Sequence, residues 1–117
     1  MNERFSFLTD ELFFRSKIVQ NDRVLDVGCG GGETSFRASQ YVGSSGYVLG
    51  ADISETLLTF ARNKFSNIEN LEFNTCDAQN YKFKVGSFNK VISRFGVMFF
   101  DNPIEAFKNI NLSMKIK

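Results

Sequence analysis

Histidine is absent from the 117-residue sequence, and cysteine occurs only twice, at Cys29 and Cys76. Without histidine there can be no His-containing zinc site and no histidine-dependent catalytic triad, whatever fold the chain adopts. The two cysteines lack metal-ligand spacing, so no metal site is expected, and a reduced, cytoplasmic protein is the expectation. An excess of one charge is also lacking. Fourteen Lys and Arg stand against 13 Asp and Glu, a net charge of +1, with no block of like sign. That balance points to neither nucleic acid nor an anionic membrane as a partner. No apolar run approaches the roughly 18 residues of a transmembrane helix. The opening stretch, MNERFSFLTDELFFRSK, scatters acids and bases among its phenylalanines. It therefore has no continuous apolar segment of the kind that a signal peptide needs.

Apolar material, by contrast, is ample. Hydrophobic residues make up 43% of the chain, and 14 residues are phenylalanine. A chain of this length is expected to form a single domain over residues 1–117, beginning with an N-terminal helix over residues 1–20. Thr9 suits the N-cap of that helix, and Leu8, Leu12 and Phe13 its buried stripe. No internal repeat or interdomain linker interrupts the rest of the chain. Val24–Val27 reads as a buried strand broken only by Asp26. Glu33–Val42 reads as a helix, with Gly43 as its left-handed C-cap. Tyr47–Ala51 forms a second strand closed by Asp52. Ser54 caps a second helix with Leu57, Leu58, Ala61 and Phe65 at helical spacing. Leu71–Cys76 alternates as a third strand, and Asn89–Ser93 forms a fourth. Pro103 suits the first turn of a last helix, with Asn102 near its cap and Ile104, Phe107 and Ile110 as its stripe. Strands alternating with helices of about ten residues predict βαβ units, hence an α/β fold around a parallel sheet with right-handed crossovers.

In such sheets ligands bind beyond the carboxyl ends of the strands. The segment VLDVGCGGGETSF (residues 24–36) places a strand, a glycine loop and a helix start there in succession. A dinucleotide site requires G-x-G-x-x-G after the strand. Counting from Gly28 the third glycine slot holds Glu33, and counting from Gly30 it holds Ser35. Both frames fail. Glu33 would also set a negative charge where a pyrophosphate needs a bare helix N-terminus. The pattern that fits is D-x-G-x-G-x-G, with Asp26, Gly28, Gly30 and Gly32.

With this motif the chain resembles the class I S-adenosylmethionine-dependent methyltransferases over roughly Asp22 to Pro103. The likeness is nearest to the small-molecule subgroup that methylates quinone precursors. It implies a Rossmann-like parallel sheet with flanking helices and strand order 3-2-1-4, lacking the family's last three strands, as in a C-terminally truncated chain. It implies S-adenosyl-L-methionine as cofactor and a small-molecule methyl acceptor as partner. A sulfonium and an ammonium in place of phosphate make nearby acids favourable. The cofactor-binding set implied is Asp26, Gly28, Cys29, Gly30, Gly32, Asp52, Ile53, Asp77, Ala78 and Ser93. In the resemblance Asp52 receives the ribose hydroxyls, Asp77 meets the adenine amino group, and Ile53 and Ala78 flank the ring. Cys29 serves as a small loop residue rather than a nucleophile, and Cys76 as core. No catalytic residue can be named. Gly43, Gly46 and Gly50 need only turn, cap or packing explanations. Phe95, Met98, Phe99 and Phe100 suit the core and an acceptor pocket equally. The alternative reading is a non-catalytic fragment that binds the cofactor or a partner. Self-association through the exposed edge of the fourth strand is expected in either case.

Overall fold

The computed structural model describes residues 12–77, 81 and 87–93. Runs of Val and Leu too short for helices pair into four strands: β1 (Arg23–Val27), β2 (Tyr47–Asp52), β3 (Leu71–Thr75) and β4 (Lys90–Ile92). They form one sheet in the order β3-β2-β1-β4, and every pair is parallel. Helix α1 (Glu33–Val42) connects β1 to β2, and α2 (Glu55–Lys64) connects β2 to β3. This is the α/β arrangement that the alternation of strands and helices predicts, in the strand order that the family resemblance implies.

Strand limits differ from the sequence expectation by a residue or two. β1 begins at Arg23, β2 includes Asp52, β3 stops before Cys76, and β4 omits Asn89 and Ser93. At the start of β4, Asn89 N donates to Arg23 O at 2.9 Å while its side-chain Oδ1 accepts the Arg23 N–H at 2.6 Å. Of the N-terminal helix expected over 1–20, residues 12–16 are helical and the remainder up to 11 lies outside the described residues. The helical turn ends at Lys17, whose φ of 54° is left-handed. Thr9, Leu8 and the whole expected last helix also lie outside the described residues.

Side chains alternate across β1 as the pleat requires. Val24 faces α1 and joins Val48, Leu71, Ile92, Ala38 and Val42 in one buried cluster, into which Phe13 packs from the N-terminal turn. Leu25 and Val27 face the opposite side, with Ala51 and Phe88. In α2 the expected stripe is only partly inward. Leu58, Ala61 and Phe65 are buried, whereas Leu57 is 44% exposed, because it points over the glycine loop rather than under the helix. Gly43 does take a positive φ of 70°, but its ψ of −173° is not the left-handed cap expected. The conformation belongs to the region that glycine alone occupies readily. The end of α1 is instead held by Asn70, whose Nδ2 donates to Ser39 O at 3.0 Å and Gly43 O at 2.7 Å.

The amino ends of the strands are tied by a polar cluster that sequence reading missed. Asp22 is buried and accepts from Val19 N (2.9 Å), Asn89 Nδ2 (2.6 Å) and Lys90 Nζ (3.2 Å). Burial opposes its ionisation. The hydrogen bonds from Val19, Asn89 and Lys90, with the Lys90 charge, outweigh burial and hold the carboxyl below its ordinary value. This cluster fastens β4 to β1 at the end of the sheet away from the glycine loop. Among the described residues, no helix is long and apolar enough to cross a membrane.

Candidate functional site

Parallel strands deliver all their carboxyl ends to one edge, and the register aligns those ends closely. Val27 lies opposite Ala51, Asp52 opposite Thr75, and Asp26 opposite Ile92. The loop after β1, Asp52 at the end of β2, Asp77 two residues beyond β3 and Ser93 just past β4 therefore share one rim. Ile53 follows Asp52 and is 67% exposed. Ala78 lies outside the described residues, as do Phe95, Met98, Phe99 and Phe100.

Between β1 and α1 the chain turns within five residues, and it does so through left-handed backbone at Gly28 (φ 73°), Gly30 (φ 56°) and Gly32 (φ 92°). A side chain at these positions would be strained, which is the physical reason for glycine at every second residue. Gly32 has a second reason. A Cβ there would stand 2.9 Å from Phe73 Cζ and 3.0 Å from Ala61 Cβ, so β3 and α2 press against bare backbone. The loop is hydrogen-bonded to β2: Gly28 N and Cys29 N both donate to Ala51 O, at 2.7 and 3.1 Å. Gly30 N donates to Asp52 Oδ2 at 2.8 Å. The other oxygen of Asp52 accepts from Ser54 N at 2.9 Å, so backbone groups on both sides orient the carboxylate. A carboxylate has about four acceptor positions, and these two bonds occupy one on each oxygen.

Asp26 does not reach this surface. It is 1% exposed, and its Oδ2 accepts from Ser35 Oγ at 2.6 Å beneath the loop. It stands on the face of β1 that α1 covers, and the helix stands between it and solvent. Cys29 is also buried, and burial, aided by the negative charges of Asp26 and Asp52, pushes its thiol far above the ordinary value. Such a shift disfavours the thiolate at neutral pH. Burial likewise pushes the Cys76 thiol up to about 11.

Glu33, the first residue of α1, pairs with Lys64 at the end of α2, which holds an acid over the helix N-terminus. Three residues that the motif did not single out also shape the loop. Ser35 holds Asp26, Phe73 fills the space below Gly32, and Gly50 leaves room for both. An isolated glycine inside the strand YVLGAD was the one available sequence signal, since it marks a close approach of neighbouring atoms. Among the described residues, no group of three or more acids or cysteines is placed to hold a metal ion.

Comparison with known proteins gives a consistent result. The family model described as a methyltransferase domain matches residues 24–115. A demethylmenaquinone methyltransferase of Staphylococcus epidermidis is 32% identical over 98 residues, covering 84% of this chain and 41% of that protein. An aklanonic acid methyltransferase of a Streptomyces species is 34% identical over 93 residues, covering 78% of this chain and 42% of that protein. The chain therefore spans about two fifths of the length of these curated relatives. Among solved structures, a SAM-dependent methyltransferase from Aquifex aeolicus superposes with a TM-score of 0.84 at 19% identity, covering 92% of this chain and 58% of that one. At that identity the superposition establishes the fold.

Proposed function

The chain belongs to the family of methyltransferase domains, and from that premise we propose that its glycine loop and strand-end acids hold S-adenosylmethionine for methyl transfer to a small molecule. The observation that carries this reading is the rim itself. Left-handed glycines at 28, 30 and 32 lie beside Asp52, whose carboxylate is fixed by Gly30 N at 2.8 Å.

The residues fit such a ligand. Asp52 receives the ribose hydroxyls, and its two backbone donors prevent it from turning away. Asp77, Ala78 and the exposed side chain of Ile53 serve the adenine end, and Ser93 closes the rim at β4. Glycine backbone lets the methionine part approach the loop without side-chain interference. Asp26 and Asp52 set negative charge beside the loop, which suits a sulfonium and an ammonium and disfavours a pyrophosphate. Bound there, the cofactor supplies a methyl group already activated by the sulfonium charge. The protein's contribution is alignment of donor and acceptor, worth a large part of the barrier when the geometry is right. The curated relatives are named for demethylmenaquinone and aklanonic acid, which supports a small organic acceptor. We take these residues to be the cofactor-binding part of a cytoplasmic methyltransferase domain.

Titration calorimetry tests the reading. S-adenosylmethionine and its demethylated product should both give heat and saturate at one site, and NAD should give none. Binding of NAD with no response to the other two would overturn it.

A further inference from the structure

We propose that Ser35 is a positioning residue: its buried hydroxyl, bonded to Asp26, locks the first turn of α1 to the end of β1, so that the loop between them stays set for its ligand. The proposal rests on the reading that this loop holds the cofactor. Ser35 is 0% exposed and Asp26 1%, and their 2.6 Å hydrogen bond joins residues on either side of the glycine loop. Both groups are buried, so breaking the bond between them costs more than breaking an exposed one.

The loop needs such a tie because the usual one is missing. The N-cap of α1 is Gly32, which has no side chain to cap the helix. Gly28, Gly30, Gly31 and Gly32 have no side chains to pack, and Cys29 alone would leave the start of α1 weakly fixed. On the β2 side the loop is anchored by the bonds to Ala51 O and Asp52 Oδ2. On the α1 side the Ser35–Asp26 bond does the same. The space for it is supplied by Gly50, where a Cβ would come within 2.7 Å of Ser35 Oγ, 2.8 Å of Phe73 Cδ1 and 2.9 Å of Cys29 Sγ. Loop, helix and β3 converge on one bare position of β2, and the hydroxyl lies at their meeting point.

Amide hydrogen exchange on the ligand-free full chain tests the role directly, since local opening reports where a tie has been lost. In Ser35→Ala the Gly28, Cys29 and Gly30 amides should exchange about tenfold faster, as expected for losing one hydrogen bond to a charged group. The Val48 and Cys76 amides, bonded to Asn70 O and Asp52 O across the β2–β3 pair, should keep their rates. Affinity for S-adenosylhomocysteine should fall about tenfold in parallel. Ser39→Ala removes a comparably buried hydroxyl one turn along α1, bonded only within the helix to Phe36 O, and should leave the loop amides alone. Unchanged loop exchange in Ser35→Ala overturns the proposal. So does a rise shared equally by the β2–β3 amides, or a loop effect as large in Ser39→Ala. Failure of the unaltered chain to bind S-adenosylhomocysteine would instead overturn the cofactor reading and leave the exchange comparison intact.

Discussion

Replacing Gly32 by alanine imposes two separable costs on the folded chain. The backbone there has φ 92°, where an L side chain costs about 1–2 kcal/mol relative to glycine. The new methyl would also stand 2.9 Å from Phe73 Cζ and 3.0 Å from Ala61 Cβ, closer than carbon atoms pack. Relieving that overlap by shifting a buried ring or helix costs about 1–3 kcal/mol. Against these, alanine restricts the unfolded chain and returns about 0.4–1 kcal/mol. The net expectation is a loss of about 1–5 kcal/mol. Urea denaturation should show it as a lower midpoint at unchanged slope. The two costs divide on a second substitution. Phe73→Ala removes the ring and would relieve the Phe73 share of the overlap but neither the Ala61 contact nor the backbone part, so Gly32→Ala should be less damaging in that background. A loss below about 0.5 kcal/mol in the single variant would refute the reasoning. Strict additivity of the two substitutions would refute the assignment of the contact.

Asp52→Ala should weaken S-adenosylmethionine binding by about 1–3 kcal/mol, because ribose hydroxyls and the Gly30 and Ser54 amides all lose a charged acceptor; unchanged affinity in a folded variant would reduce Asp52 to a helix-start residue. Asp22 has a folded-state pKa below its ordinary 3.8, so its contribution to stability is present above about pH 4 and disappears as pH falls through the lowered value. Asp22→Asn should therefore destabilise by about 1–3 kcal/mol at neutral pH and flatten the acid limb of the stability profile, and a variant that keeps the full limb would contradict this. The β4 edge carries Val91 and Ile92, β-branched and uninterrupted by proline, and among the described residues it pairs with β1 alone. Self-association through it is expected, seen as a rise in sedimentation coefficient with concentration; a monomer at every concentration would dismiss it.

The sequence by itself determined the parallel sheet, because apolar runs too short for helices alternate with segments of helical period, and only βαβ units accommodate that pattern. It determined the glycine loop as well, since D-x-G-x-G-x-G names positions whose backbone must be left-handed, and conformational demand is a local property of the chain. Asp52 and Asp77 were legible because each follows an apolar run, and in a parallel sheet every such end faces one rim. Contacts between residues distant in sequence were a different matter. Asp26 reads as a ligand residue from its place in the motif, yet the pleat of β1 turns it under α1, onto Ser35. Leu57 fits a buried stripe by spacing, yet it lies over the loop because the crossing of α2 sets which face is covered. Gly50 looks like packing alone until Ser35, Phe73 and Cys29 are seen to converge on it. The Asp22–Asn89–Lys90 cluster joins segments 67 and 68 residues apart, a separation over which no periodicity carries information. Local geometry was written in residue types, whereas the partners of each buried group depended on which elements the fold laid side by side.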